Sequence, residues 1–150
     1  MKRILIADDR VVGLSLKNAF LKDLEDVVCD GVSSISAMQG LEDTYDLVVI
    51  EPMHFAEEFL SIHYISQIFI GELDRLVGSG HVCIVSTQRY VDLQRMFGKR
   101  DISNFSYAWK PVDTIDLSIF VGKYLDVPIK LPEDIIDDSM TDRYSRGPMF

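Results

Sequence analysis

Apolar residues enter this chain in short unbroken runs separated by stretches with helical spacing. The first run, within KRILIA (residues 2–7), is nearly all apolar rather than alternating, which is the pattern of a short strand buried on both faces. From Val12 to Leu24 the apolar positions Val12, Leu16, Ala19, Phe20 and Leu24 recur at helical intervals. A second strand is predicted over Val27 to Val32, and the Gly-Val-Ser-Ser turn at its end offers serine caps for a helix through Leu41. DLVVIE (residues 46–51) reads as a third buried strand that ends in a carboxylate. The spacing then predicts a long helix over 57–77, with Phe59, Ile62, Ile65, Phe69 and Leu73 as its core stripe. Leu60, Tyr64, Ile68 and Ile70 widen that stripe, which implies deep burial or a surface for a partner, a second copy of the chain included. After a Gly-Ser-Gly break, His81 to Val85 form a fourth strand, followed by a helix over 89–97. NFSYAW (residues 104–109) is the fifth, and Asp113 stands ready to cap a helix from about 114 to 125, with Asp116 at its positive end.

Five strand–helix units with short links imply an α/β fold with a parallel sheet and helices on both faces. At 150 residues the chain fits one such domain, expected over 1–127. Residues 128–150 carry three prolines, five acidic and three basic residues with little periodicity, so they read as an acidic, partly disordered tail anchored through Ile135 and Ile136.

Composition adds exclusions. With 47% hydrophobic and 26% charged residues the chain is of ordinary globular type, and its net charge of −9 argues against nucleic acid or an anionic membrane as the main partner. Met1-Lys2-Arg3 is followed by too short an apolar run for a signal peptide, and no stretch approaches the roughly 20 apolar residues of a membrane span. The expected location is cytoplasmic. Cys29 and Cys83, each inside an apolar strand, fit a reducing compartment as free thiols. His54, His63 and His81 lack metal-ligand spacing.

Ligands of open parallel sheets sit beyond the carboxyl ends of the strands. There the sequence delivers Asp8 and Asp9 after the first strand, Glu51 after the third, Ser86 and Thr87 after the fourth, and Lys110 after the fifth. Three crowded carboxylates repel one another, and Lys110 offsets only one charge. A hard divalent cation held by oxygen ligands, Mg²⁺ for example, would balance the rest, with Asp8, Asp9 and Glu51 as its candidate ligands.

Together, "ILIADD", "YDLVVIE", "CIVST" and "YAWKP" on a five-fold βα pattern resemble the receiver domain of bacterial two-component response regulators, over about residues 1–127. The resemblance implies a flavodoxin-like sheet of order 2-1-3-4-5. It implies Mg²⁺ acids at Asp8 and Asp9, a phosphoryl-contacting hydroxyl at Ser86, its cationic partner at Lys110, a proline often preceded by a cis bond at Pro111, and a switching aromatic at Tyr107. It also places Cys29 and Cys83 three strands apart, roughly 14 Å at about 4.8 Å per strand, beyond the about 7 Å reach of a disulfide.

The resemblance fails at its centre. The phosphoacceptor aspartate of the family is replaced by Glu51, whose extra methylene moves the carboxylate by about 1.5 Å. Phosphoryl transfer needs in-line placement, where an error of about 1 Å costs on the order of a hundredfold. Pro52 offers no N–H, and the proline expected four residues after the acceptor is Phe55. The segment from Glu51 to Ser86 is also a few residues longer than usual. Glu51 then either imitates a phosphorylated acid, in part only, or marks a lost switch in a fold kept for docking. The docking reading is preferred. The expected function is that of a stand-alone, atypical receiver acting by phosphorylation-independent protein–protein contact in signalling, and not an enzyme. Its docking face would be the helix near 89–97, the fifth strand and the helix near 114–125. The alternatives are a conventional Mg²⁺-dependent phospho-accepting receiver and a Mg²⁺-dependent phosphohydrolase with Asp8 or Asp9 as nucleophile. Nucleotide binding lacks its glycine-rich turn: the first strand is followed by Asp-Asp-Arg-Val-Val-Gly.

Overall fold

A computed structural model describes residues 1–58 and 64–130. Five parallel strands alternate with helices: β1 (Lys2–Ala7), α1 (Arg10–Asp23), β2 (Val27–Val32), α2 (Ile35–Gln39), β3 (Leu47–Ile50), α3 (Gln67–Val77), β4 (His81–Ser86), α4 (Tyr90–Phe97), β5 (Ser106–Trp109) and α5 (Thr114–Leu125). The strand order is β2-β1-β3-β4-β5, the flavodoxin-like order.

The period-two alternation of each strand feeds two cores. Leu5, Val48, Ile50 and Ile84 point to the face covered by α2, α3 and α4, where they meet Met38, Phe69 and Leu93. Ile4, Ile6, Val49 and Cys83 point to the opposite face, under Leu16 and Phe20 of α1 and Leu117 and Val121 of α5. Strands β3 and β4 are buried along their whole length, which is why their sequences are apolar without alternation. Cys29 and Cys83 are free and buried on the same face, and burial pushes their thiols up to about 11 and about 12.

Side-chain caps set helix starts. Asp9 accepts from Val11 N and Val12 N, Ser34 from Ala37 N, and Asp113 from Ile115 N and Asp116 N. The stretch 57–77 departs from its expected single helix. A 3₁₀ turn runs over Pro52–Glu58, and α3 starts only at Gln67, where the Ser66 hydroxyl accepts from Ile68 N. Ile65, Phe69, Ile70 and Leu73 are buried as expected, whereas Tyr64 and Ile68 are exposed. Leu60, Phe59, Ile62 and His63 lie outside the described residues.

Beyond α5 the described chain continues three residues past Val127. Ile129 bridges Leu24 in antiparallel fashion, flanked by hydrogen bonds from Glu25 N to Pro128 O (2.9 Å) and from Lys130 N to Asp23 O (2.8 Å). A Cβ on Gly122 of α5 would come within 2.8 Å of both Ile129 and Leu24, so the absence of a side chain there lets this clasp close. Ile135 and Ile136, the expected anchors, lie outside the described residues. Among the described residues no helix is long and apolar enough to cross a membrane.

Candidate functional site

Asp8 follows β1, Glu51 follows β3, Ser86 ends β4 and Lys110 follows β5, so the sheet brings these four to one edge. The register aligns Ala7 with Ile50, Ile50 with Ile84, and Ser86 with Trp109. Backbone bonds lock those ends together: Glu51 N donates to Ala7 O and Lys110 N to Ser86 O, each at 2.9 Å.

Each of the three carboxylates solves its charge problem differently. Asp8 is 3% exposed; its Oδ2 accepts from Lys110 Nζ at 2.9 Å and its Oδ1 from Asp9 N at 2.6 Å. Asp9 turns to the positive end of α1, where Oδ1 accepts from Val11 N and Val12 N at 2.9 Å each. Glu51 is 6% exposed, and its Oε2 is buried with no hydrogen-bond partner among the described residues. Burial pushes its carboxyl up from the usual range; the Ser86 hydroxyl, the Lys110 charge and the Thr87 backbone N–H pull it down, while Asp8 adds to the rise.

A raised carboxyl in the folded state favours the protonated form. The stability it contributes is complete below the unfolded value, about 4.3, and is lost as pH rises through the folded value. Glu51→Gln, neutral at every pH, is therefore expected to be more stable than the native chain by about 1 kcal/mol near pH 7, with the gap closing near pH 4. Thermal melts at the two pH values check this, and an equal gap at both would contradict it.

Asp8 and Asp9, two of the acids expected to hold Mg²⁺, each have protein partners in this structure. Both Asp8 oxygens and one Asp9 oxygen are already engaged, and among the described residues no three His, Cys, Asp or Glu side chains form a group with metal-binding spacing. The cap of α1 engages Asp9 Oδ1 and the ammonium of Lys110 engages Asp8 Oδ2, so the two acids of the pair have different partners.

The other site residues fall into place around this edge. Ser86 is fully buried, and its Oγ accepts from Gln88 N at 3.0 Å. The Lys110–Pro111 peptide is cis. Tyr107 is buried, its hydroxyl donates to the Gln88 carbonyl, and its ring stands edge-on to Tyr90. Burial and the neighbouring charge of Glu51 push the Tyr107 phenol up to about 12. Phe55 is fully buried against Phe69, with ring centroids 4.9 Å apart, and His54 Nε2 lies 2.8 Å from the Ser33 carbonyl, so the 3₁₀ turn is tied both to the core and to the β2–α2 loop. His81 sits at the start of β4, 2.7 Å from Ser106 Oγ, with its ring tilted at 33° to that of Tyr124 and the centroids 4.5 Å apart. A cavity of about 260 Å³ opens beside Asp8 and Asp9, between α1 and the end of β2; Glu51, Ser86 and Lys110 do not line it.

No protein-family model matches the chain, and no curated protein matches it. Solved structures do. A response regulator receiver protein from Burkholderia phymatum superimposes with a TM-score of 0.53 at 16% identity, over 87% of this chain and 100% of that one. The fold is that of a receiver domain. A CheY-like receiver domain from Methylobacillus flagellatus (TM-score 0.52, 19% identity, 83% of this chain and 98% of that one) and a LuxR family DNA-binding response regulator from Silicibacter pomeroyi (0.55, 18%, 89% and 99%) share it.

The receiver fold gives the sequence motifs their places: the acid pair at β1, the acidic end of β3, the hydroxyl of β4 and the lysine of β5. Two roles escaped the sequence. That Asp9 caps α1 was signalled by an aspartate immediately before a helical run. That Phe55 is core had no signal, because it lies in a turn.

Proposed function

We propose that this chain is a receiver-fold signalling module that works by protein–protein contact and is not switched by phosphorylation. The observation that carries it is Glu51: a buried carboxylate at the end of β3, with the Ser86 hydroxyl and the Thr87 N–H acting on it, while the ammonium of Lys110 is held by Asp8. In the receiver family a hydroxyl and a lysine at these places serve an incoming phosphoryl group. Here the longer acid reaches toward the hydroxyl itself. It supplies part of the phosphoryl group's negative charge and fewer acceptor oxygens, which fits a module kept in one state.

The surface supports docking. Val91 of α4, Trp109 of β5 and Ile115 of α5 are exposed large apolar residues on the three elements next to the site, and Trp109 is 54% exposed. Behind them Tyr107 is held inward by its bond to the Gln88 carbonyl. A signalling protein with an apolar contact patch is the partner this face suits.

Incubation with acetyl phosphate and Mg²⁺, read by intact mass, tests the proposal. The native chain is expected to stay unmodified, whereas Glu51→Asp, which restores the acceptor length, gains a phosphoryl group at a rate on the order of a hundredfold higher. Stoichiometric phosphorylation of the native chain at the β3 edge would overturn it.

A further inference from the structure

The cavity of about 260 Å³ beside Asp8 and Asp9 owes its space to two glycines. Gly13 lies inside α1 and Gly31 inside β2, so they border it from its helix side and its strand side. Neither has a positive φ that would call for glycine. A Cβ on Gly13 would meet only Ile6 Cγ2 within 4 Å, and one on Gly31 only Ile6 O, each at 3.9 Å, which is ordinary contact. Backbone and packing therefore both admit a side chain at these positions. Glycine inside a helix or strand costs stability relative to a residue with a side chain, and in a strand it often marks the close approach of a ligand or another backbone. Among the described residues no backbone occupies the space that these two leave.

The lining divides by chemistry. Ile6, Leu14 and Val32 supply apolar surface. Arg10 and Lys17 stand two helical turns apart on the α1 side, about 10 Å along the axis. Among the described residues neither has a carboxylate within ion-pair distance, although the chain carries a net charge of −9. The two acids at the upper end have protein partners: Asp8 holds Lys110, and Asp9 Oδ1 caps α1. Arg10 follows them directly, which leaves Lys17 as the cation remote from both. Lys17 is partly buried, and its ammonium draws the buried Cys29 thiol of β2 down, so its charge is felt on the strand side.

We infer that this cavity binds a small organic acid, its carboxylate paired with Lys17 and its apolar body lying over Ile6 between Leu14 and Val32. At about 30 Å³ per water the space equals about nine waters, which suits a molecule of about that many non-hydrogen atoms. A phosphate dianion suits it less, because its second charge would be repelled by Asp8 and Asp9. Glu51, Ser86 and Lys110 do not line the cavity, so the acid would give the module an input that bypasses the β3 edge.

The probe is 4-methylpentanoate, with its neutral amide as the control, each titrated into the isotope-enriched chain and followed by amide chemical shifts. The acid is expected to shift Gly13, Leu14 and Gly31 to Ser33 saturably, with a Kd of millimolar order and at least about tenfold below that of the amide. In Lys17→Met, which keeps the length of the stem, acid and amide should bind equally. Gly13→Ala combined with Gly31→Val fills the space from both sides and should weaken the acid by at least about tenfold. Alanine suits a helix and valine a strand, so this variant without ligand is expected to melt about 2 to 4 °C higher than the native chain. Absence of a saturable shift with the acid, binding that both variants leave unchanged, or a filled variant that melts lower would overturn the inference. So would inorganic phosphate that saturates the same amides more tightly than the acid. Because the acetyl phosphate experiment reads the β3 edge and this one reads the space between α1 and β2, either proposal can fail without the other.

Discussion

Lys110→Met is expected to destabilise the protein by about 3 kcal/mol, read from urea melts near pH 7. Methionine keeps the length of the lysine stem and removes the charge, so the loss falls on the partner. Asp8 is 3% exposed and would keep a carboxylate at the sheet edge with its Oδ2 contact gone. Breaking a buried pair from one side costs about 3 to 5 kcal/mol in general, and the lower end applies because the lysine side chain is 18% exposed and water reaches it. Adding Asp8→Asn to Lys110→Met removes the stranded charge and should recover much of the loss, which is the signature of coupling between neighbours. A loss below about 1 kcal/mol for the single variant would mean that solvent already neutralises Asp8.

Gly80→Ala ranks second, at about 3 kcal/mol. The new methyl would lie 2.4 Å from Tyr45 O and 2.6 Å from Asp46 O, both backbone atoms. Neither carbonyl can step aside freely: Tyr45 N is bonded to Leu76 O at 2.8 Å, and Asp46 O accepts from His81 N at 3.0 Å. The start of β4 would have to shift against β3. Gly71→Ala is the matching control. It lies within α3 with nothing within 4 Å of the added methyl, so the same exchange should stabilise by about 0.5 to 1 kcal/mol. Thermal melts of the two variants should move in opposite directions, and a shared direction would refute the steric account.

The contrast between these glycines shows what the sequence could reveal. Gly-Ser-Gly reads as a break, which is right, but the close approach of Gly80 to Tyr45 and Asp46 depends on strand packing and leaves no local trace. Buried strands announced themselves because β1, β3 and β4 are covered on both faces, and helix caps at Ser34 and Asp113 follow from local chemistry alone. The start of α3 was hidden for a physical reason. Apolar residues run from Phe59 to Ile70 at spacings compatible with one helix, and only the hydroxyl of Ser66 marks the boundary. At the site, sequence gathered Asp8, Glu51, Ser86 and Lys110 correctly at one edge, since strand ends fix those positions. Which carboxylate would take the lysine depends on how each side chain turns at that edge, and sequence order carries no record of it.

The clasp formed by Pro128, Ile129 and Lys130 joins the ends of two helices that lie a hundred residues apart in the chain. Helix ends ordinarily open one turn at a time, independently of each other. Here the last turn of α5 cannot loosen without withdrawing Ile129 from above Gly122 and releasing the amides of Glu25 and Lys130. Solvent deuterium should therefore reach those two amides at a common rate, and shortening the chain to Val127 would free both helix ends together.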